Sequence, residues 1–201
     1  MDQAAHLRII NTAFELFNVK GYRSVTLSEL ASKLGMSKKT LYQHFTGKED
    51  IAEAVITEKM KQLTYQINQS KSVSDNPLAE IKLTLLGIKK QIMMINPLFL
   101  YDIEKYIPSL WAKIERFRAE KLTFMIKLLE QAQEKGWIKS IQPKLAAHVF
   151  VSTVQTIVQP KFLSQNHYSV GEALDALIEI FLTGIASSIY VEENGDIAAT
   201  P

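Results

Sequence analysis

Residues 26–49, TLSELASKLGMSKKTLYQHFTGKE, constrain the fold more than any other stretch of the chain. Thr26, three residues before Glu29, has the spacing of a capping box and opens a helix. Leu27, Leu30, Ala31 and Leu34 recur at helical spacing and form its apolar stripe. Gly35 ends it, as glycine does where the backbone must turn left-handed. Ser37 is a good N-cap for a second helix. Leu41 and Phe45, four residues apart, anchor that helix inward. Its remaining surface is Lys38, Lys39, Thr40, Tyr42, Gln43 and His44, a set of donors, acceptors and an aromatic. Such a surface suits the base edges and phosphates of a major groove. Thr46 and Glu49 have the spacing of a further capping box and open the next helix.

Charge is concentrated on the same stretch. The chain of 201 residues has a net charge of only +2. Between Lys20 and Lys48 six basic residues stand against the single acid Glu29, a local +5 that leaves −3 for the rest. A solvated lysine face is the plain alternative for such a run. The two-helix pattern beneath it favours nucleic acid.

This pattern resembles the DNA-binding domain of the TetR family of transcriptional regulators. The resemblance is carried by Ala13, Leu16, Phe17, Gly21 and Tyr22, then Val25, Thr26, Leu30, Ala31, Leu34 and Gly35. It continues through Ser37, Thr40, Leu41, Tyr42, His44, Phe45, Lys48 and Glu49. Lys39 departs from it, since many relatives carry Gly there, and adds a charge near the DNA. The resemblance covers roughly the first 60 residues. It implies that Thr26, Ser37, Tyr42 and Lys48 make positioning contacts to phosphates. Lys38, Lys39, Thr40, Gln43 and His44 are the candidates for base edges, since Gln reads adenine and Lys reaches guanine. His44 has a packing or phosphate role as its alternative, and Tyr42 a half-core role. Lys20 and Lys33 read as solvated.

The rest of the chain reads as helix, so the expected fold is all-α with about nine helices. Residues 1–48 are the helix-turn-helix domain, 49–191 a ligand-binding and dimerisation domain, and 192–201 a flexible tail. Helix 1 runs from about Ala4 to Val19 with Leu7, Ile10, Phe14 and Phe17 inward. Helix 4 runs from about Lys48 to Ser70. QSKSVSDNP, residues 69–77, is the clearest loop, and Pro77 opens the following helix. Its seam is Leu78, Ile81, Leu85, Ile88, Ile92 and Ile95. Asn96–Pro97 stops it. A short helix to Tyr106 and a long one from Pro108 to Gly136 follow. Pro143 opens a helix that Pro160 disturbs, and Ser169 with Glu172 caps the last.

The last two long helices carry an argument of their own. Residues 145–160 contain no Asp, Glu, Lys or Arg. Being shorter than the ~20 apolar residues of a membrane span, and bearing His and Gln, they read as a buried or interface helix. The final helix loses its charges after Glu179 and continues IFLTGIASSIY. Helices apolar on more than one side need more than one cover. The family resemblance implies that these two helices pair with those of a second copy. The candidate homodimer residues are Phe150, Val154, Ile157, Leu177, Phe181, Gly184, Ile185 and Ser188. An interior hairpin is the alternative. Dimerisation also suits recognition of a palindromic operator in double-stranded DNA.

The middle helices supply many large apolar side chains, among them Met94, Phe99, Tyr106 and Phe124. The resemblance implies a small-molecule effector of unknown identity held between them. The candidate lining is Met93, Leu100, Tyr101, Trp111, Ile114, Phe117, Phe150 and Thr153, with Asp102, Glu104, Gln91 and Gln155 as orienting polar groups. Ordinary core is the alternative for each. An enzyme is not indicated. There is no Cys nucleophile, no G-x-S-x-G, no phosphate-cradling glycine loop, and the four His show no metal-ligand spacing. No cofactor is expected. The N-terminus lacks a secretory pattern, and no cysteine is present, so a cytoplasmic protein without membrane association is expected. The expected function is a DNA-binding transcriptional repressor released by a small, mostly apolar molecule. The competing reading is an architectural or cell-division factor on the same fold, without an effector.

Overall fold

A computed structural model describes residues 2–70 and 77–187. Among the described residues ten helices follow one another: α1 (Gln3–Lys20), α2 (Leu27–Leu34), α3 (Lys38–His44), α4 (Lys48–Ser70), α5 (Pro77–Met93), α6 (Pro97–Tyr106), α7 (Pro108–Glu134), α8 (Pro143–Ile157), α9 (Pro160–Asn166) and α10 (Val170–Ile185). Among the described residues the one non-helical pairing is an antiparallel bridge between Ile138 and Ala186. No single helix among them is long and apolar enough to cross a membrane.

The extra helix relative to the expected nine comes from proline. Pro160 has no N–H to donate and its ring clashes with the carbonyl four residues back. The helix from Pro143 therefore ends at Ile157, and a separate short helix begins at Pro160. Pro97 acts similarly. α5 ends at Met93, so Ile95 lies beyond it rather than on its seam. Asn96 becomes the N-cap of α6, its side-chain oxygen accepting from the Leu98 amide at 2.9 Å.

The chain divides into two compact units. The first is Met1–Gln62 with Met94–Glu115, and the second is Leu63–Met93 with Arg116–Pro201. In the first, α1 is buried along Ile9, Ile10, Ala13, Leu16 and Phe17. Leu7, expected inward, is 44% exposed. The buried stripe differs from the expected one because the helix is covered from two directions. α2 packs on one side, and α6 sets Phe99 against Phe17 with ring centroids 5.4 Å apart on the other. Leu30 and Leu34 of α2, Leu41 of α3, and Ile51, Ala52 and Val55 of α4 complete this core.

In the second unit α10 packs against α5 and α8. Leu78, Ile81 and Leu85 meet Leu129, Ala132, Phe150, Ile178 and Leu182 in one apolar cluster. Ser169 and Glu172 form the expected reciprocal capping box at the start of α10. The Ser169 hydroxyl and amide, both donating to the Glu172 carboxyl, hold it below the usual carboxylate range.

Two other caps differ from expectation. Thr26 accepts from the Glu29 amide at 3.1 Å, but the Glu29 carboxylate turns to Lys20 at 2.5 Å. At the head of α4 the Thr46 amide and hydroxyl donate to Asp50, at 2.8 and 3.1 Å, and Asp50 takes the part expected of Glu49.

Candidate nucleic-acid interface

Two local devices set the angle between α2 and α3. Gly35 adopts φ 65°, ψ 31°, the left-handed conformation that only glycine takes without cost. That turn lets the Met36 amide donate back to the Ala31 carbonyl at 3.0 Å. Ser37 then starts α3, accepting from the Thr40 amide at 3.0 Å, with the two hydroxyls 2.9 Å apart. Leu41 and Phe45 are buried and fix which way the helix faces. A further tie comes from Arg8, whose guanidinium donates to the Leu34 carbonyl at the end of α2.

The outer face of α3 is what remains. Lys38, Lys39, Tyr42 and Gln43 are exposed and lie on one side at i, i+4 spacing, with Tyr42 55% exposed. Thr26 and Ser37 are exposed at the two helix starts. Thr40 and His44 are half-buried. His44 turns inward: its Nδ1 is enclosed without a hydrogen-bond partner, and its ring lies 6.3 Å from that of His6. His6 itself stacks on Phe45 at 4.5 Å.

Lys48 stands half-buried at the first turn of α4. Its ammonium sits 4.3 Å from the Tyr22 ring and donates to the Arg23 carbonyl at 3.2 Å. Burial pulls its pKa down, and the negative charge of Asp102 opposes that. Burial, with help from the Glu49 charge, pushes the Tyr22 hydroxyl up to about 12. Of the other basic residues in this segment, Lys20 pairs with Glu29 at 2.5 Å and Lys33 with Glu15 at 3.0 Å. The outward positive charge is thereby concentrated on Lys38, Lys39 and Arg23, with Lys48 beside them.

Asp102, expected as an orienting group for an effector, is instead only 7% exposed in the first unit and accepts from the Arg23 amide at 2.9 Å. Sequence reasoning missed this bond, together with the Arg23 and Tyr22 contacts to Lys48. Only the clustering of charge between Lys20 and Lys48 pointed toward them.

The eight candidate effector residues divide between the two units. Leu100, Tyr101, Trp111 and Ile114 belong to the first, and Met93, Phe117, Phe150 and Thr153 to the second. Ile114 is core, with Leu100 and Trp111 packed against the same cluster. Tyr101 and Met93 are exposed. The Thr153 hydroxyl donates to the Val149 carbonyl of its own helix at 2.7 Å.

The candidate interface residues divide too. Phe150, Ile157 and Ile185 are buried by the chain itself, and Phe150 packs on Phe181 with ring centroids 4.7 Å apart. Val154, Leu177 and Phe181 are half-buried, Gly184 is exposed, and Ser188 lies outside the described residues. The large apolar side chains that α8 and α10 leave exposed are Leu145, Val149 and Ile180, none of them among the candidate interface residues.

Residues 9–55 match the family model described as bacterial regulatory proteins, tetR family. The chain is 27% identical over 183 residues to the uncharacterised HTH-type transcriptional regulator YvaF of Bacillus subtilis (strain 168), covering 90% of this chain and 95% of that one. It is 24% identical to the fatty acid metabolism regulator protein of the same organism, again over 90% of this chain and 95% of the relative. The fold is shared with the fatty acid degradation regulator FadR from Bacillus halodurans, at a TM-score of 0.71 and 20% identity, covering 92% of this chain and 97% of that one. With its capped, glycine-turned helix pair and exposed basic face, the segment 9–55 is thus a tetR-type helix-turn-helix domain, in a chain similar over nine-tenths of its length to HTH-type transcriptional regulators.

Proposed function

We propose that this regulator is a cytoplasmic repressor that binds a palindromic operator as a homodimer and is released by a small, mostly apolar molecule. The observation that carries the DNA half is the exposed face of α3. Leu41 and Phe45 are buried beneath it while Lys38, Lys39, Tyr42 and Gln43 face outward. Lys39 and Gln43 have the chemistry to read base edges, and Thr26, Ser37, Tyr42 and Lys48 to hold phosphates. Thr40, being half-buried, acts from the edge of that surface, and His44, turned inward, packs beneath it.

Pairing is supported by the exposed apolar side chains of α8 and α10. A second copy covering Leu145, Val149 and Ile180 would remove them from water. Two helix-turn-helix units related by a two-fold axis read half-sites about 34–36 Å apart, or a multiple of that. An apolar effector is in keeping with the aromatic and Met content of α5 to α7 and with the fatty-acid regulation named for two similar proteins. Residues 1–48 then serve DNA and 49–191 serve the effector and the dimer. Release is a population shift, limited by the effector's differential affinity for the two states.

The test is selection of duplexes from random-sequence DNA by the full chain, followed by titration across salt. Specific binding should yield a palindrome. Affinity should fall with a log–log slope of roughly −0.9 per neutralised phosphate. Fatty acids are the first effectors to add. A chain that selects no sequence refutes the operator. Selected binding that no small molecule shifts would favour the architectural reading.

A further inference from the structure

A buried carboxylate needs a reason. Asp102 sits on α6 at 7% exposure, where a leucine-shaped side chain would pack at less cost in desolvation. Its partners supply the reason. Its Oδ2 accepts from the Arg23 amide at 2.9 Å. The same oxygen lies so close to Gly21 that a Cβ there would stand 2.7 Å away. Asp102 therefore grips the turn between α1 and α2 at the backbone. One turn further along α6, the Tyr106 hydroxyl meets the Arg23 guanidinium at 3.1 Å. α6 thus holds Arg23 by both its main chain and its side chain.

What the turn holds is Lys48. The Arg23 carbonyl accepts from the ammonium at 3.2 Å, and the Tyr22 ring lies 4.3 Å beneath it. An ammonium has three donors. One is committed to the turn, which leaves two for a phosphate. Asp102 also opposes the loss of charge that burial favours at Lys48.

We propose that Asp102 is a positioning residue for DNA recognition, a carboxylate outside the helix-turn-helix that fixes the Gly21–Arg23 turn and through it aims Lys48 at the phosphate backbone. This rests on the DNA-binding reading above. Asp102 touches no DNA; it acts through the turn.

The experiment uses the full-length chain and a duplex that the wild type has selected from random-sequence DNA. Affinity is measured against salt for wild type, Asp102→Leu, Asp102→Asn, Lys48→Met and the Asp102→Leu/Lys48→Met double variant. Asp102→Leu keeps the shape and removes the acceptor. It should weaken binding about tenfold and lower the salt slope by about one for each phosphate no longer neutralised. Asp102→Asn retains an oxygen for the Arg23 amide and should restore most of that affinity. The double variant should be no weaker than the weaker single, because both changes disable the same lysine. Asp102→Ala serves the same test where Asp102→Leu does not fold, and far-UV circular dichroism at the assay temperature separates unfolding from weakened binding. A folded variant with wild-type affinity and slope overturns the proposal, as does a loss that adds fully to that of Lys48→Met. Lowered thermal stability with an unchanged salt slope in the folded protein also overturns it, since that is the signature of a purely structural role. A wild-type chain that selects no duplex fails at the earlier reading and takes this one with it.

Discussion

Gly21→Ala tests the turn from its other side. Gly21 has φ 76° and ψ 158°, a region reserved almost wholly for glycine. Holding an alanine there costs about 1–3 kcal/mol in backbone strain. The new Cβ would also stand 2.7 Å from Asp102 Oδ2 and 3.3 Å from the Cγ and Cδ2 of Leu98. Asp102 must move to relieve this, which breaks its bond to the Arg23 amide. A donor left unpaired in a part-buried site costs a further ~1–3 kcal/mol. The total is roughly 2–6 kcal/mol, a large share of the ~5–15 kcal/mol that holds a native protein together. Two other glycines calibrate the argument. Gly35 is left-handed, with nothing within 4 Å of its would-be Cβ, so Gly35→Ala should cost only the ~1–2 kcal/mol of that conformation. Gly47 has open space and no positive φ, and Gly47→Ala should be near neutral. The assay is urea denaturation of the three variants beside wild type, followed by far-UV circular dichroism. The expected order of loss is Gly21→Ala, then Gly35→Ala, then Gly47→Ala. A Gly21→Ala protein within ~0.5 kcal/mol of wild type, or no worse than Gly35→Ala, would refute the close approach of α6 to this turn.

Ser37→Ala removes the oxygen that accepts from the Thr40 amide and should cost about 1 kcal/mol, measurable as a lowered urea midpoint, with operator affinity reduced alongside it. Ile180→Glu changes a side chain that is 70% exposed, so the isolated chain should fold normally. If α8 and α10 pair between copies, the same change buries an unpaired carboxylate at a cost of roughly 3 kcal/mol or more. Sedimentation should then show the wild type as a dimer at micromolar concentration and the variant as a monomer. Equal sedimentation of the two would place the interface elsewhere.

The helices and their caps were legible in the sequence because their signals are local. Thr26, Ser37 and Ser169 each bond to an amide three residues on, and Gly35 turns the chain by its own backbone freedom. Pro77 and Pro143 mark helix starts for the same reason, the missing N–H acting within one turn; Pro97, Pro108 and Pro160, which read as stops or a disturbance, also open helices. The exposed face of α3 was readable too, since Leu41 and Phe45 identify its inner side without reference to any distant partner.

Tertiary structure decided what depends on contacts between distant residues. Periodicity located an apolar stripe on α1 but not its rotation, because α2 and, some 80 residues on, α6 both pack on that helix; Ile9 and Ala13 are buried and Leu7 is not. α8 read as apolar nearly all round, and α10 as uncharged after Glu179. Only their packing on the second core showed that Phe150 and Ile185 are interior, with Ile157 buried as well, while Leu145, Val149 and Ile180 face out. Asp102 looked like one more polar residue among aromatics. Its meaning lies in the Arg23 amide, 79 positions away in the chain, and a hydrogen bond of that range leaves no trace in spacing or composition. Sequence determines which residues can cap, turn and bury. Which of them meet is settled by how the helices pack, since packing alone brings a buried charge to the backbone group that needs it.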